Sequence, residues 1–477
     1  MVYLILLGYI GLTFLTSLWG RKKMDSPEAY FLAGRNVKTL TLFFTILATN
    51  FSAFYFLGFA GEAYRIGYAY YPLMAFGTAF ACLSFFLIGT KVWELGKAKG
   101  LITPGELIFL KSKSRGLSTL YTTVMVVFTF PYLALQIVGA GYIVESITQG
   151  EVPYFMGASL LTLFTILYVW LGGMQSVART DVKQGVLVIL LMLTAMILVV
   201  SASGGFEVGH ARLRDKVPAL FERAGVGGHY SPQKWFSFFI FWLFCIPMFP
   251  QLFMRFFIAQ DVKHLRQSAF LYALVPLIIA LFPVVIGVFG HLDFPGLGGK
   301  EADQILPKML LLHSPDWFAA LVMVGALAAF MSTLDSQLLA LGTMLTRDIY
   351  GVFLKPDLSL PAQVRAGRVA VVLLAVVGLA IAYQPFDTIF DMGKLAFAGL
   401  SVLFPLTLAL LRVGPVYLPC AVASILMGEG LLLAFFYGWL PQQWLGGFEA
   451  FMLAILQAFL WVGLGLWIEK KRGKIPA

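Results

Sequence analysis

Apolar runs of about twenty residues follow one another along almost the whole chain, each long enough to cross a hydrocarbon core of about 30 Å as a helix. That pattern decides the class. Inside lipid every backbone group must find its partner within the protein, so runs of this length have to become a bundle of membrane helices. Of the 477 residues, 60% are hydrophobic and 12% charged, where a soluble domain carries about 25% charged residues. The first partner implied is the lipid bilayer. The net charge of +10 does not point to nucleic acid, because the basic residues gather in short loops, as the positive-inside bias requires.

Thirteen spans are predicted, over residues 3–20, 39–62, 67–91, 117–147, 152–171, 182–202, 235–258, 267–290, 314–346, 366–383, 386–411, 414–438 and 446–468. The loops after the odd-numbered spans hold RKK, KSKSR, ARTDVK, DVKHLR, RAGR and the tail EKKRGK. That side collects 24 basic residues against 8 on the other, with Arg255 and Lys394 left inside spans. The basic side is therefore cytoplasmic, with the amino terminus outside and the carboxyl terminus inside. The first run, MVYLILLGYIGLTFLTSLWG, lacks a basic n-region and reads as a span rather than a cleaved leader. Cys82, Cys245 and Cys420 lie far apart in apolar segments, with neither metal-ligand spacing nor a disulfide partner. Short loops leave no soluble domain and suit a multi-pass protein of a bacterial inner (plasma) membrane. Nothing fixes an oligomeric state; a monomer is compatible with the sequence.

Two spans carry breaks. Span 7 contains CIPMFPQLF, where Pro247 and Pro250 each remove an amide donor and clash with the preceding turn. Span 2 contains ATNFSAFYFLGFAG, where Asn50 and Ser52 compete for backbone groups and Gly58 and Gly61 loosen the next two turns. The breaks are five spans apart. This is the pattern of an inverted-repeat transporter with its site near the bilayer midplane, although Pro and Gly are also common in ordinary membrane helices. The chain then divides into an extra helix and loop over 1–38, a first five-helix repeat over 39–202, and an external loop over 203–234. A second repeat covers 235–411, and two peripheral helices with a tail cover 412–477.

Within span 9, FMSTLDSQLLALGTMLTRDIY places Ala329, Ser332, Asp335 and Ser336 on one helical face by spacings of three and four, with Thr333 beside them. A hydroxyl in a membrane helix often bonds back to its own helix. Three hydroxyls and an acid together point instead to a polar site, since a carboxylate within a span is costly. A small hard cation asks for several oxygens. This face offers the side chains, and the broken end of span 2 offers carbonyls. Asp181, in ARTDVKQG, either caps the start of span 6 or reaches the same cluster.

Three motifs resemble the sodium/solute symporter family. LGGMQSVARTDVKQGVLVIL, residues 171–190, is similar to the family signature. FMSTLDSQLLALGTMLTRDIY is similar to its sodium-binding helix, and FPQLFMRFFIAQD, residues 249–261, to the segment that closes the second broken helix. The resemblance runs over essentially the whole chain. It implies an all-α membrane protein of the leucine-transporter fold, with a ten-helix inverted-repeat core in spans 2–11. It implies sodium-coupled symport of a small organic solute by alternating access, with sodium as the coupling ion and no other cofactor. Carried onto this sequence, the main sodium site falls on the side chains of Ser332 and Thr333 with the carbonyls of Ala48, Phe51 and Ala329. A second sodium site falls on Asp181, Ser332, Asp335 and Ser336.

For the solute, the expected lining is Asn50, Phe54, Tyr55, Gln136, Trp242 and Lys394. Phe54 and Tyr55 stand where sugar carriers of the family have an acid and an amide. Each buried hydroxyl left unpaired costs about 1–3 kcal/mol, so an aromatic pocket argues against a sugar. It favours a monocarboxylate, a pantothenate-like acid or an amino acid. Lys394 either snorkels to the outer interface or pairs with a carboxylate. Arg255 is expected at the cytoplasmic end of span 7, paired to an acid there. The rival readings are proton coupling through Asp181 and Asp335 and a transporter-like membrane sensor. Five histidines without metal spacing, and no identifiable Ser-His-Asp set, argue against an enzyme.

Overall fold

A computed structural model describes residues 1–18, 27–354 and 359–475; the basic triplet RKK after the first span lies outside them. The described chain is helical, and its only extended pairing is a single bridge between Val37 and Ala259. Among the described residues, nine helices are long and apolar enough to cross a membrane, and two bent pairs pass the same test as broken spans. The helices that position the site are α1 (Val2–Leu18), α2 (Thr39–Asn50), α3 (Phe54–Ile66), α4 (Tyr70–Lys99), α5 (Pro104–Ser112), α6 (Arg115–Ile147) and α7 (Tyr154–Ala202). They continue as α8 (Gly205–Lys216), α9 (Pro232–Met248), α10 (Pro250–Ile258), α11 (Val262–Leu292), α12 (Ile305–His313) and α13 (Asp316–Leu354). The last four are α14 (Leu360–Tyr383), α15 (Ile389–Arg412), α16 (Leu418–Phe436) and α17 (Ala450–Lys471).

Both predicted breaks are present. α2 and α3 meet at 61°, and α9 and α10 at 60°. At the first, Phe51 leaves the helical region with ψ 98° while its amide still bonds Leu47. Phe54–Gly58 then winds as one wide turn. At the second, Phe249 is extended and Pro250 opens α10, where a missing amide proton costs nothing. The break in α2–α3 is braced from α6: the Gln136 side-chain oxygen accepts the freed amide of Ala53 at 2.9 Å.

One boundary differs from the sequence reading. ARTDVK was expected as a loop between spans 5 and 6, yet residues 154–202 form one helical run. Straight, 49 residues would extend about 73 Å. Tyr154 bonds Ala382 at the end of α14, while Ser203 leads into α8, which packs on Phe289 through Gly209 and on Tyr68 through His210. Asp303 ties these regions together by reaching both Arg65 of α3 and the Ile389 amide of α15. Both ends of α7 thus lie on one side of the bundle, and the chain reverses within the run. Asp181 lies within this run and reaches the polar cluster, the second of its two sequence readings.

α13 is buried almost without interruption from Ala319 to Met344, which makes it the axis of the bundle. Its far end is locked to α5 and α6 by Asp348, which accepts from Thr103 at 2.5 Å and Thr122 at 3.1 Å. α3 and α11 approach so closely that a β-carbon on Gly287 would stand 2.1 Å from the Ala60 carbonyl oxygen.

Candidate functional site

The break at residues 51–53 strips the last carbonyls of α2 of their helical partners, and α13 supplies hydroxyls to them. Ser332 Oγ lies 2.9 Å from both the Ala48 and Ala329 carbonyl oxygens. Thr333 Oγ1 lies 3.4 Å from Ala48 O, 3.3 Å from Thr49 O and 3.2 Å from Ala329 O. Both side chains are fully buried. Two hydroxyls and three carbonyls therefore converge across the α2–α13 contact. The set is neutral and all-oxygen, the donor chemistry of a hard monovalent cation. Among the described residues no group of three or more His, Cys, Asp or Glu could hold a metal ion.

Ala48, Ala329, Ser332 and Thr333 are thus brought together as the sequence expects. The Phe51 carbonyl makes no such contact; Thr49, unnamed by the sequence reading, offers its carbonyl instead. Phe51 contributes its ring, 4.2 Å from that of Tyr55. Phe51 has already left the helical region, with ψ 98°, whereas Ala48 and Thr49 belong to the helix that ends at Asn50.

One turn further along α13, an ionic cluster forms. Arg255 of α10 is fully buried and pairs with Asp181 at 3.2 Å. The same guanidinium donates to Ser336 Oγ at 2.7 Å and Thr49 Oγ1 at 3.0 Å, and its other arm meets Met174 Sδ at 3.0 Å. Thr45 also donates to Asp181. Asp335 accepts from Tyr168 at 2.8 Å and from Ser336 at 3.2 Å. Arg255 lies in the last turn of its span and pairs with an acid, as the sequence expects; it is also fully buried, among the residues expected for a second sodium. A charged residue reads alike in sequence at any depth, so only packing reveals this. Thr45 and Thr49, four apart on one face of α2, were the signal that a polar partner would be met there.

Above the hydroxyl site lies an aromatic wall. Phe54 stacks on Phe390 with ring centroids 5.6 Å apart, meets Phe397 edge-on at 4.9 Å and lies 6.0 Å from Trp242. Tyr55 stacks on Phe59 at 4.2 Å. The Trp242 indole N–H and the Gln251 amide are buried without a partner among the described residues. Three other expected lining residues have different work. Asn50 donates to the Tyr272 hydroxyl, and Gln136 caps the break. Lys394 faces a peripheral groove of about 290 Å³ between α15, α16 and α17, where it pairs with Asp391 at 3.3 Å. Gly393, one residue earlier and about 100° round the helix, lies against Phe54, and Lys394 is turned outward.

With this geometry in place, comparison with known proteins is decisive. The sodium:solute symporter family profile matches residues 30–413. The chain belongs to the sodium:solute symporter family. The symporter is 26% identical to the sodium/pantothenate symporter of Escherichia coli (strain K12) over 417 residues, 86% of this chain and 85% of that one. It is 27% identical to the sodium/proline symporter of the same strain, over 77% of this chain and 72% of that one. A substrate-bound, outward-open sodium-coupled sialic acid symporter superposes with a TM-score of 0.81 at 18% identity, covering 98% of each chain. MhsT in complex with L-phenylalanine superposes at 0.54, 15% identity, over 94% of this chain and 99% of that one. The symporter has the leucine-transporter fold, is a multi-pass membrane protein, and couples solute movement to sodium.

Proposed function

We propose that the symporter takes up a small carboxylate-bearing solute with an apolar body, such as the pantothenate or proline for which two relatives are named, and that sodium binds between α2 and α13. The observation that carries this reading is the convergence of Ser332 and Thr333 on the freed carbonyls of Ala48 and Thr49. The ion adds a positive charge beside the aromatic wall, where the unpartnered Trp242 N–H and Gln251 amide supply hydrogen bonds and Phe54 and Phe397 supply apolar surface. Lys394, turned to the periphery, has no part in it. The wall is short of hydroxyl-matching groups, which disfavours a sugar.

Coupling arises from differential affinity. An ion that binds best when α2 and α13 are in contact holds that arrangement, and only such a difference shifts the population. In this reading residues 39–202 and 235–411 are the two repeats, and the amino terminus faces outward in an inner membrane. The test is radiolabelled uptake into proteoliposomes from a panel of monocarboxylates, pantothenate, amino acids and sugars, with and without an inward sodium gradient. Sodium-dependent uptake of an acid or amino acid is the expected result. Sodium-free uptake that tracks a pH gradient, or competition by sugars alone, overturns the reading.

A pH effect is expected at the outer rim. There Asp303 accepts from the Ile389 amide at 2.8 Å and pairs with Arg65 at 3.3 Å, which also holds Glu62 at 2.8 Å. Burial pushes the Asp303 carboxyl up to about 7, against the pull of the Arg65 guanidinium. Hydrated in an opened rim, it would titrate near its ordinary value of about 4. The packed rim thus binds the proton more tightly, and acidification from about pH 7 toward 4 favours closure; above 7 that preference is lost. Uptake at a fixed sodium gradient should slow as external pH falls from 8 to 6. The Asp303→Asn variant should flatten that profile, and an unchanged profile in the variant counts against Asp303 as its origin.

A further inference from the structure

The geometry points to Arg255 as a tethered cation that fills the second ion position, so that one sodium, not two, binds per symporter. This deepens the reading of the Ser332–Thr333 site and rests on it. Of the four residues expected to hold a second sodium, two already serve the guanidinium: Asp181 at 3.2 Å and Ser336 at 2.7 Å. A third, Asp335, is occupied by the Tyr168 hydroxyl at 2.8 Å and by Ser336. The fourth, Ser332, is turned to the main site, 2.9 Å from Ala48 O. Thr49 Oγ1 also accepts from Arg255 at 3.0 Å.

A hard cation needs several oxygen lone pairs at once; here Asp181 Oδ1 is the one carboxylate oxygen of the cluster without a donor among the described residues, and a single free oxygen does not make a cage. The guanidinium already supplies a positive charge to these carboxylates, and a second cation at contact distance from it would be repelled by it. Arg255 is fully buried and fixed to a broken helix, so it cannot exchange with solvent as a free ion does. Removing it leaves Asp181 and Asp335 as two buried carboxylates beside Ser336 with no cation, which is the donor set that a sodium ion fits.

The test uses the purified full-length protein and sodium alone. Bound ²²Na⁺ is counted per molecule at saturation, with the Hill slope of sodium-dependent thermal stabilisation as a second reading. The wild type should bind one sodium with a slope of one. Arg255→Gln should bind two, and Arg255→Lys, which keeps the charge, should bind one. Adding Asp181→Asn to Arg255→Gln should return the count to one. Two sodium ions in the wild type, or one in both Arg255→Gln and Arg255→Lys, overturns the inference. If Arg255→Gln does not fold, the wild-type count alone decides. No bound sodium in the wild type would instead overturn the parent reading of the Ser332–Thr333 site, so the two failures are distinguishable.

Discussion

Replacing both Ser332 and Thr333 by alanine is expected to raise the sodium concentration for half-maximal uptake on the order of a hundredfold, with the protein still present in the membrane. Each hydroxyl faces a carbonyl of the broken helix within 3.4 Å. A contact to a charged partner is worth about 1.5 kcal/mol at the low end, so losing two removes ~3 kcal/mol of ion binding. The single Thr333→Ala variant should give about a tenfold shift on the same arithmetic. Both side chains also hold α2 to α13 by hydrogen bonds, so the control is a sodium-free stability measurement. If the double variant loses stability without any change in sodium dependence, the hydroxyls are structural and the ion lies elsewhere.

The second large effect is steric. Gly287 of α11 stands where an added β-carbon would meet Ala60 O at 2.1 Å and the Ala60 carbonyl carbon at 2.9 Å. Those are backbone atoms of α3, next to the break, and cannot rotate aside as a side chain would. Gly287→Val therefore forces α3 away from α11. Overpacking of this kind costs about 1–3 kcal/mol. Because α3 carries the aromatic wall and adjoins the carbonyls of the ion site, the loss should reach transport. Uptake is expected to fall about tenfold or more, with a lowered melting temperature in detergent. Gly430 of α16 has nothing within 4 Å of its β-position, so Gly430→Ala should leave both measurements unchanged. A Gly287→Val protein with ordinary uptake would show that α3 and α11 do not need this close approach.

Particular residues show how far the sequence carries. Ser332 and Thr333 were legible because hydroxyls three and four apart from Ala329 in an apolar helix have few reasons to be there, and the structure brings them to Ala48. The breaks were legible because Pro247 and Pro250 remove donors by their covalent form alone, and because Asn50, Ser52 and Gly58 weaken α2–α3 in the same local way. Thr49 was not, because which carbonyl of a broken end turns toward a neighbour depends on the ψ of Phe51. Gln136 read as a pocket residue, since a buried amide looks the same whether it meets a solute or, as here, an unpaired backbone N–H of Ala53. The helical winding through ARTDVK was hidden for the opposite reason: its basic residues read as a loop, yet the chain keeps helical hydrogen bonding while it reverses there.

By itself, then, the order of residues determined a helical membrane bundle, two interrupted spans five apart and an oxygen-rich face on the ninth span, because chain length in oil, helical periodicity and proline chemistry all act locally. Tertiary packing alone decided that Arg255 meets Asp181 inside the bundle and that Lys394 turns outward while Gly393 faces Phe54. Those choices depend on which face of one helix meets which face of another, and that is set by side-chain fit between segments hundreds of residues apart.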